Sequence, residues 1–329
     1  MAQKFNEIIT NSSSIAICAH SNPDADAIAS SVATKRWIEQ NYKNKEVHIF
    51  LTGEIGELYK PLIADEKINP IENNEYDLAI VLDCPSIERT GNEDIINRSK
   101  VIVNIDHHET NDKFGDYRVI APICSSTGEL LYLIFASCQP VTDKKIAELI
   151  YHSIITDTVC FSSISMSKRT HSVLEKLLEF DFDANAIKQH YFENMSKSKL
   201  FLIKKALNSM KFYCNDRVSL MRIKKQDFEN SGADFTDTLG IVENGIKIEG
   251  VDIALIVIEK EENEYYISLR SKNGANVGEI ARSFDGGGHQ NMAALQYTGE
   301  NINELERNIL KECDKMLETI PCGKDDLDF

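Results

Sequence analysis

Three apolar runs of this chain each lead into aspartate and histidine side chains. The runs and the residues that follow them are 14–19 with His20, Asp24 and Asp26, 78–82 with Asp83, and 101–105 with Asp106, His107 and His108. Short β-branched runs are typical of buried parallel strands. Open α/β sheets bind their ligands at the carboxyl ends of such strands. The sequence therefore predicts that these polar side chains meet at one site.

The residue types at this predicted site favour a pair of divalent metal ions. Carboxylate oxygen and imidazole nitrogen together suit Mn²⁺ better than a thiolate-rich set would. Asp24 and Asp26 are two residues apart in a loop, so they can face two different ions. Asp83 can then bridge the ions, and His107 can complete the second one. Paired ions about 3.5–4 Å apart generate a hydroxide at neutral pH and assist in-line attack on phosphorus.

Two further residues belong to this prediction. His108 follows a predicted ligand and is expected to contact the scissile phosphate, and Asp157 ends a helical run as a further acidic candidate. Each residue alone also has a structural explanation, since an aspartate at a strand end is commonly a turn or helix-capping residue. The convergence of three strand ends and a helix end on the same residue types favours the metal site.

A second group of candidate residues lies nearer the end of the chain. Gly286, Gly287 and Gly288 precede His289, and Arg270 lies at the end of a predicted strand. Glycines allow backbone N–H groups to approach an anion closely. His289 and Arg270 would add charge or hydrogen bonds. A flexible loop explains the glycines alone equally well, and the nearby arginine favours a phosphate-binding segment.

The elements that must position these residues alternate between strands and helices. In the first half we predict a helix over 1–13, strands over 14–19, 47–51, 78–82 and 101–106, and helices over 25–42, from 125 onward and over 143–156. Later we predict helices over 168–180, 184–210 and 301–318, and strands over 212–214, 218–223, 251–258 and 265–270. Alternation of this kind predicts an α/β fold with a parallel sheet and right-handed crossovers. The helix over 25–42 begins at the predicted site, so its free N–H groups face the ligands.

Length, composition and charge set limits on the organisation and the partners. The chain has 329 residues and a net charge of −16, which indicates two domains and no basic face for long duplex DNA. The composition changes between 190 and 212, where we place the domain boundary. No signal-like start and no membrane-length apolar stretch is present, and the eight cysteines lack metal-finger spacing. We therefore expect a cytoplasmic protein with reduced thiols and no membrane partner.

The motifs resemble those of a known family. The segment from His20 to Asp26, the single Asp83, the triplet ending in His108 and Asp157 resemble the four motifs of the DHH phosphoesterases. Arg270-Ser271 and the run 286–289 resemble the DHH-associated domain of the first type. The resemblance implies an α/β fold with a parallel-sheet DHH domain and flanking helices, and a smaller α/β C-terminal domain across a cleft. It divides the chain into a metal-binding domain over 1–190, a helical linker over 191–211 and a substrate-binding domain over 212–329.

The resemblance also implies a role for each candidate residue. His20, Asp24 and Asp83 would hold one metal ion, Asp26, Asp83, His107 and Asp157 would hold the other, and His108 would contact the phosphate beside the catalytic Asp83. Arg270, Gly286, Gly287, Gly288 and His289 would bind the nucleotide. The family pattern is altered at Met292, which is bulkier than usual, and at Ala294, where glycine is expected. This departure bears on the substrate preference and not on the metal ligands.

The sequence is compatible with three functions. The compact two-domain form is similar to the group of bifunctional oligoribonucleases (nanoRNases) and 3′-phosphoadenosine 5′-phosphate phosphatases. This similarity implies two metal ions, most often Mn²⁺, and hydrolysis of short oligoribonucleotides or nucleotides by a metal-activated hydroxide. One alternative is a phosphodiesterase of cyclic-di-AMP or its linear dinucleotide. The other is a non-catalytic nucleotide-binding protein, which would require a broken metal set, whereas every expected ligand type is present here. The oligomeric state is open, with a homodimer as one alternative.

Overall fold

The chain divides into two compact units, Met1–Asn194 and Met195–Phe329. The computed structural model describes residues 2–70, 75–161 and 166–320. The helices are α1 Ala2–Asn11, α2 Ala25–Asn41, α3 Glu93–Arg98, α4 Thr127–Cys138, α5 Lys144–Asp157, α6 Lys168–Leu178, α7 Ala184–Lys188, α8 Lys197–Ser209, α9 Lys225–Ser231, α10 Glu243–Ile246, α11 Val277–Arg282 and α12 Ile302–Glu318. The strands are β1 Ser14–Cys18, β2 Glu46–Phe50, β3 Leu78–Leu82, β4 Val101–Asp106, β5 Tyr117–Ile120, β6 Lys211–Tyr213, β7 Val218–Ile223, β8 Ile253–Glu261, β9 Glu264–Ser271, β10 Gly287–Gly288 and β11 Met292–Thr298.

The first unit contains a five-stranded sheet in the order β2-β1-β3-β4-β5, and every pair is parallel. The central strands β1 and β3 are apolar and buried because both faces of the sheet are covered there. Along β1, Ile15 and Ile17 pack into one hydrophobic cluster, whereas Ala16 and Cys18 pack into another. Strand β3 is buried along its whole length. The α/β fold with a parallel sheet, predicted from the sequence, is therefore confirmed.

The second unit has a six-stranded mixed sheet in the order β10-β11-β9-β8-β7-β6. Strands β7 and β8 are parallel, and the other pairs are antiparallel. The acidic turn between β8 and β9 forms a hairpin, with Asn263 in the left-handed region at φ 62°. Asparagine tolerates this conformation better than most residues do. This second α/β unit also agrees with the predicted fold class.

One predicted helix is wrong as a continuous element. The segment 184–210 contains α7, a π-helical turn over 189–193 and the separate helix α8. The chain leaves the helical conformation at Asn194, and Ser196 starts α8 by accepting a hydrogen bond from Lys199 N at 2.8 Å. Helix α8 lies in the segment predicted as a linker, and it packs against β7 of the second unit. Strands β5 and β11 were not predicted from the sequence.

No helix in the described parts of the chain combines the length and apolar character that spanning a membrane requires.

Candidate metal centre

The carboxyl ends of the central strands of the first sheet deliver the predicted ligands to one place. Asp83 directly follows β3, and His107 directly follows β4. His20 lies two residues beyond β1, and Asp24 is the N-cap of α2, where its carboxylate accepts a hydrogen bond from Ala27 N at 3.1 Å. The residue after a buried parallel strand must leave the sheet at this edge, so neighbouring strands place their polar residues together.

One set of donor atoms comprises His20, Asp24 and Asp83. Nε2 of His20 lies 3.8 Å from Oδ1 of Asp24 and 3.6 Å from Oδ2 of Asp83. The three donor atoms all lie within 4.8 Å of one another, so this set could hold a metal ion. The side chain of Asp24 is half exposed, and that of Asp83 is buried.

A second set lies deeper and shares Asp83 with the first. Nε2 of His107 lies 3.7 Å from Oδ2 of Asp26 and 3.4 Å from Oδ1 of Asp83. Oδ2 of Asp157, at the last residue of α5, is also 3.4 Å from this nitrogen. Asp26, Asp83 and His107 together could hold a metal ion, and all three are buried.

Electrostatics at this cluster indicate a surplus of acidic groups. Burial by itself lowers the pKa of His20, but its hydrogen bond with Asp24 and the charges of Asp24 and Asp83 raise it to about 9. Burial and the charge of Asp83 raise the pKa of Asp26 to about 7. Burial also raises the pKa of Asp157 well above its usual range, and the charges of Asp26 and Asp83 add to this shift. Crowded carboxylates of this kind are stabilised by a bound cation.

The donor chemistry fits a divalent cation. Among the residues that the structure describes, no lysine or arginine forms an ion pair with Asp26, Asp83 or Asp157, whose ion-pair partners are histidines. Asp83 also has φ 51°, a conformation that is uncommon for residues other than glycine and frequent at functional sites. Hard and borderline divalent ions bind carboxylate and imidazole groups together.

His108 is held by Asp106, for which the sequence predicted a place at the site but no separate role. Nδ1 of His108 is 2.7 Å from Oδ1 of Asp106, which is fully buried. Asp106 also accepts hydrogen bonds from the backbone N–H groups of His107 and His108, and from Asn111 Nδ2 at 2.6 Å. Donor atoms of Asp83, Asp106 and His108 also lie within 4.8 Å of one another. Because the carboxylate of Asp106 already accepts several hydrogen bonds, we assign it to the orientation of His108.

The sequence also gave no indication of several groups on α4 and α5 that hold the predicted ligands in place. Asp26 accepts hydrogen bonds from Thr127 N at 2.8 Å and Gly128 N at 3.3 Å. The hydroxyl of Thr127 donates to Asp83 Oδ1 at 3.1 Å. Ser153 Oγ accepts from Gly128 N at 2.9 Å. The only signal in the sequence was the capping chemistry at the start of α4, which gives no indication of these distant partners.

In the second unit, the predicted substrate residue Arg270 is already oriented by its neighbours. Nε of Arg270 donates to Glu243 Oε1 at 2.8 Å, and Nη1 donates to Ser268 Oγ and to Leu269 O. Both Arg270 and Glu243 have mostly buried side chains. Of the described residues, none accepts a hydrogen bond from Nη2 of Arg270. This edge of the guanidinium group can therefore bind an anion.

The glycine run has a structural role in the same sheet. Gly287 and Gly288 form β10, which pairs with β11. A Cβ atom on Gly286 would lie 2.4 Å from Ala294 O, and one on Gly288, at φ 139°, would lie 2.4 Å from Met292 O. The N–H of Gly286 donates to Ala281 O.

The N–H of His289 donates to Met292 O at 2.7 Å. The backbone N–H groups of Gly286 and His289 are thus used within the unit, and substrate binding by the run stays a prediction. Met292 itself pairs with Arg270 across β11 and β9, so the unusual residue is next to the candidate anion-binding arginine. Ala294 pairs with Gly287.

Carboxylates and imidazoles clustered at the strand ends of a parallel α/β sheet form a candidate metal centre of the kind that hydrolytic enzymes use. The profile described as the DHH family, N-terminal domain, matches residues 14–154, and that of the DHHA1 domain matches residues 220–317. The chain therefore contains a DHH-family N-terminal domain and a DHHA1 domain, which confirms the resemblance seen in the motifs.

Comparison with individual proteins gives the following similarities. The chain is 26% identical to the probable bifunctional oligoribonuclease and PAP phosphatase NrnA of Streptococcus mutans, over 90% of this chain and 95% of that protein. It is 26% identical to the cyclic-di-AMP phosphodiesterase PdeA of Listeria monocytogenes, over 95% of this chain and 49% of that protein. Its fold is similar to that of an exopolyphosphatase-related protein from Bacteroides fragilis, with a TM-score of 0.85 and 22% identity over 96% of this chain and 97% of the other.

Proposed function

We propose that this chain is a Mn²⁺-dependent phosphoesterase of short oligoribonucleotides and of 3′-phosphoadenosine 5′-phosphate. The observation that carries the proposal is the carboxylate of Asp83. One of its oxygens lies 3.6 Å from Nε2 of His20, and the other lies 3.4 Å from Nε2 of His107. A carboxylate shared by two donor sets is suited to bridging two ions. The similarity to NrnA along nearly the whole of both chains supports this substrate class.

In this proposal the two donor sets keep the roles expected from the motifs. His20, Asp24 and Asp83 would hold one ion, and Asp26, Asp83, His107 and Asp157 would hold the other. Ions bound there would supply a nucleophile at neutral pH and neutralise charge on the phosphoryl group.

The residues around the ligands fix the geometry of the proposed reaction. Asp106 accepts a hydrogen bond from Nδ1 of His108 and so holds the ring in one orientation. The opposite edge of the ring then contacts a phosphoryl oxygen of the substrate. Arg270, oriented by Glu243, binds a second phosphate or the nucleotide through Nη2. A substrate with few phosphates needs few such contacts, which is consistent with a chain of net charge −16. We propose that the protein meets this substrate in the cytoplasm.

A phosphodiesterase of cyclic-di-AMP or its linear dinucleotide is the second candidate. The similarity to PdeA, which spans 95% of this chain, favours it. The same metal chemistry would serve both functions, because each substrate presents a phosphodiester or phosphomonoester to the same ligands. Met292, beside Arg270 in the sheet, is a residue at which the two specificities could diverge.

The test is product release from a panel of substrates with Mn²⁺. The panel contains 5′-labelled di- to pentaribonucleotides, 3′-phosphoadenosine 5′-phosphate, cyclic-di-AMP and pyrophosphate. We expect cleavage of the short RNAs and release of phosphate from the adenosine bisphosphate. Selective cleavage of cyclic-di-AMP would favour the second candidate. Binding of Mn²⁺ without turnover of any nucleotide would contradict both enzymatic proposals.

A further inference from the structure

One short segment that leads into the first turn of α4 contacts three of the candidate metal ligands. The backbone N–H of Thr127 donates to Asp26 Oδ2 at 2.8 Å, and its hydroxyl donates to Asp83 Oδ1 at 3.1 Å. Nδ1 of His107 lies 3.3 Å from the carbonyl oxygen of Cys124. A hydrogen bond on the far nitrogen of a metal-binding histidine sets the orientation of its ring. The position of this segment therefore determines how three ligands face the site.

We call residues 123–128 the support segment. Its anchor is Glu129, which is fully buried and accepts hydrogen bonds from both N and Oγ of Ser125, each at 2.7 Å. The other carboxylate oxygen of Glu129 accepts from Nε of Arg169 at 2.6 Å. Nη2 of Arg169 in turn donates to the carbonyl oxygen of Ile123 at 2.6 Å. The acidic residue and the basic residue thus hold the support segment at two points.

The side chain of Glu129 makes more hydrogen bonds than the corresponding residue of an ordinary capping box does. In a capping box, the residue at the third helical position reaches back to the N–H of the N-cap residue. Here Ser126 is the N-cap and accepts from Glu129 N at 3.1 Å, but the carboxylate of Glu129 reaches one residue further, to Ser125. Thr170, at the start of α6, also donates to it at 3.1 Å. A fully buried carboxylate is costly without such partners.

We propose that Glu129 and Arg169 are positioning residues of the metal centre. Together they hold the support segment, and through it the orientation of His107 and the carboxylates of Asp26 and Asp83. Neither residue belongs to a candidate metal set, so their effect is transmitted by the segment. This inference rests on the proposed function, since it assigns a role toward the metal ions that the function requires.

The test measures the affinity of the metal-free full-length protein for Mn²⁺ by calorimetric titration, with thermal unfolding of each variant recorded beside it. Loss of a group that orients metal ligands typically weakens metal affinity about 10- to 100-fold, and we expect this range for Glu129→Gln. Arg169→Gln removes the contacts to Ile123 O and to Glu129 Oε1 and leaves the hydrogen bonds between Glu129 and Ser125 intact. We expect a smaller loss of Mn²⁺ affinity in the same direction. Since the side chain of Arg169 is one-third exposed, this second variant serves if Glu129→Gln does not fold.

A matched control is available in the same unit. Glu66 has a side chain only 5% exposed and forms ion pairs with Lys35 at 2.6 Å and Arg36 at 2.8 Å. Glu66→Gln should lower the midpoint of thermal unfolding and leave the affinity for Mn²⁺ unchanged. Wild-type affinity in both Glu129→Gln and Arg169→Gln would overturn the inference and leave the proposed function standing. Failure of the wild-type protein to bind Mn²⁺ would overturn both.

Discussion

The candidate sites of the two units are built by different structural means. In the first unit, Asp83 and His107 directly follow neighbouring parallel strands, and the chain direction alone brings them to the same edge of the sheet. In the second unit, Arg270 lies inside a strand and meets Met292 through the antiparallel register of β9 and β11. The chemistry of the first site is therefore set by topology. That of the second is set by register and by one acidic neighbour, Glu243.

This difference suggests how the two sites respond to sequence change. In the first site Asp83 belongs to both donor sets, so its replacement affects both. Met292, beside Arg270 in the sheet, belongs to no donor set. Its replacement would alter substrate preference while the metal chemistry stays intact. The predictions below test this contrast, from the largest expected effect to the smallest.

Replacement of Asp83 should have the largest effect. Asp83→Ala removes the carboxylate that both donor sets share, so we expect kcat to fall at least about a thousandfold, or about 4 kcal/mol. The matched control is Asp77→Ala. Asp77 precedes the same strand at its opposite end and accepts hydrogen bonds from Ser13 N at 2.8 Å and Lys100 Nζ at 2.7 Å. Steady-state kinetics with Mn²⁺ should show wild-type kcat in the control. Near-normal turnover by Asp83→Ala would exclude the shared-carboxylate mechanism.

Replacement of Arg270 should affect substrate binding more than turnover. A charge-assisted hydrogen bond contributes about 1.5–3 kcal/mol, so Arg270→Ala should raise KM about 10- to 100-fold with little change in kcat. Arg307→Ala is the control, because Arg307 is an exposed arginine of the same unit that donates to Asn303 O within its own helix. An unchanged KM in Arg270→Ala would remove this residue from the substrate site.

Replacement of Gly286 should separate folding of the second unit from metal binding by the first. In Gly286→Ala the new Cβ would meet Ala294 O at 2.4 Å and Leu295 Cβ at 2.6 Å. Overpacking of this kind costs about 1–3 kcal/mol, which chemical denaturation should detect, whereas Mn²⁺ affinity should not change. Gly250→Ala is the control, since a Cβ there meets no atom within 4 Å and only the cost of its positive φ remains. Equal stability of Gly286→Ala and wild type would show that the run tolerates a side chain.

A buried histidine of the first unit outside the metal sets should affect the pH dependence of stability and not the metal chemistry. Nδ1 of His152 lies 3.0 Å from the hydroxyl of Tyr191, and burial lowers the pKa of His152 from 6.5 to about 3. The unfolded chain therefore takes up a proton below pH 6.5 that the folded chain does not. This contribution to stability is fully present above pH 6.5 and is lost, at up to about 1.4 kcal/mol per pH unit, as the pH falls toward 3.

Denaturant titrations between pH 6 and 4.5 check this effect. His152→Gln should show a shallower loss of stability over this range than the wild-type protein does. His171→Gln, which replaces an exposed histidine on α6, should match the wild-type slope. Identical slopes for all three proteins would contradict a neutral His152 in the folded state.

The parts of the structure that the sequence predicted are those encoded by local patterns. Apolar runs ending in charged residues marked β1, β3 and β4, and the order of those runs was enough to place Asp83 beside His107. The break before α8 was missed because the residues on both sides of it are helical, and only the polar turn around Ser196 separates them. Short strands such as β5, with the exposed Arg118, lack a continuous apolar run.

The groups that support the candidate metal ligands could not be predicted for a different reason. Thr127 contacts Asp83 across 44 residues and Asp26 across 101 residues, and no local pattern specifies such pairs. No local pattern predicts the hydrogen bond between Arg270 and Glu243 either. The sequence thus indicates the candidate metal ligands, and the three-dimensional fold is needed to find the residues that orient them.

The central claim is that the first unit holds two divalent ions that share Asp83. The most direct measurement is electron paramagnetic resonance of the metal-free protein during titration with Mn²⁺. The account predicts two bound ions per chain with the spectrum of an exchange-coupled pair, and loss of that coupling in Asp83→Ala. A single bound ion with an uncoupled six-line spectrum, or a coupled pair that persists in Asp83→Ala, would contradict it.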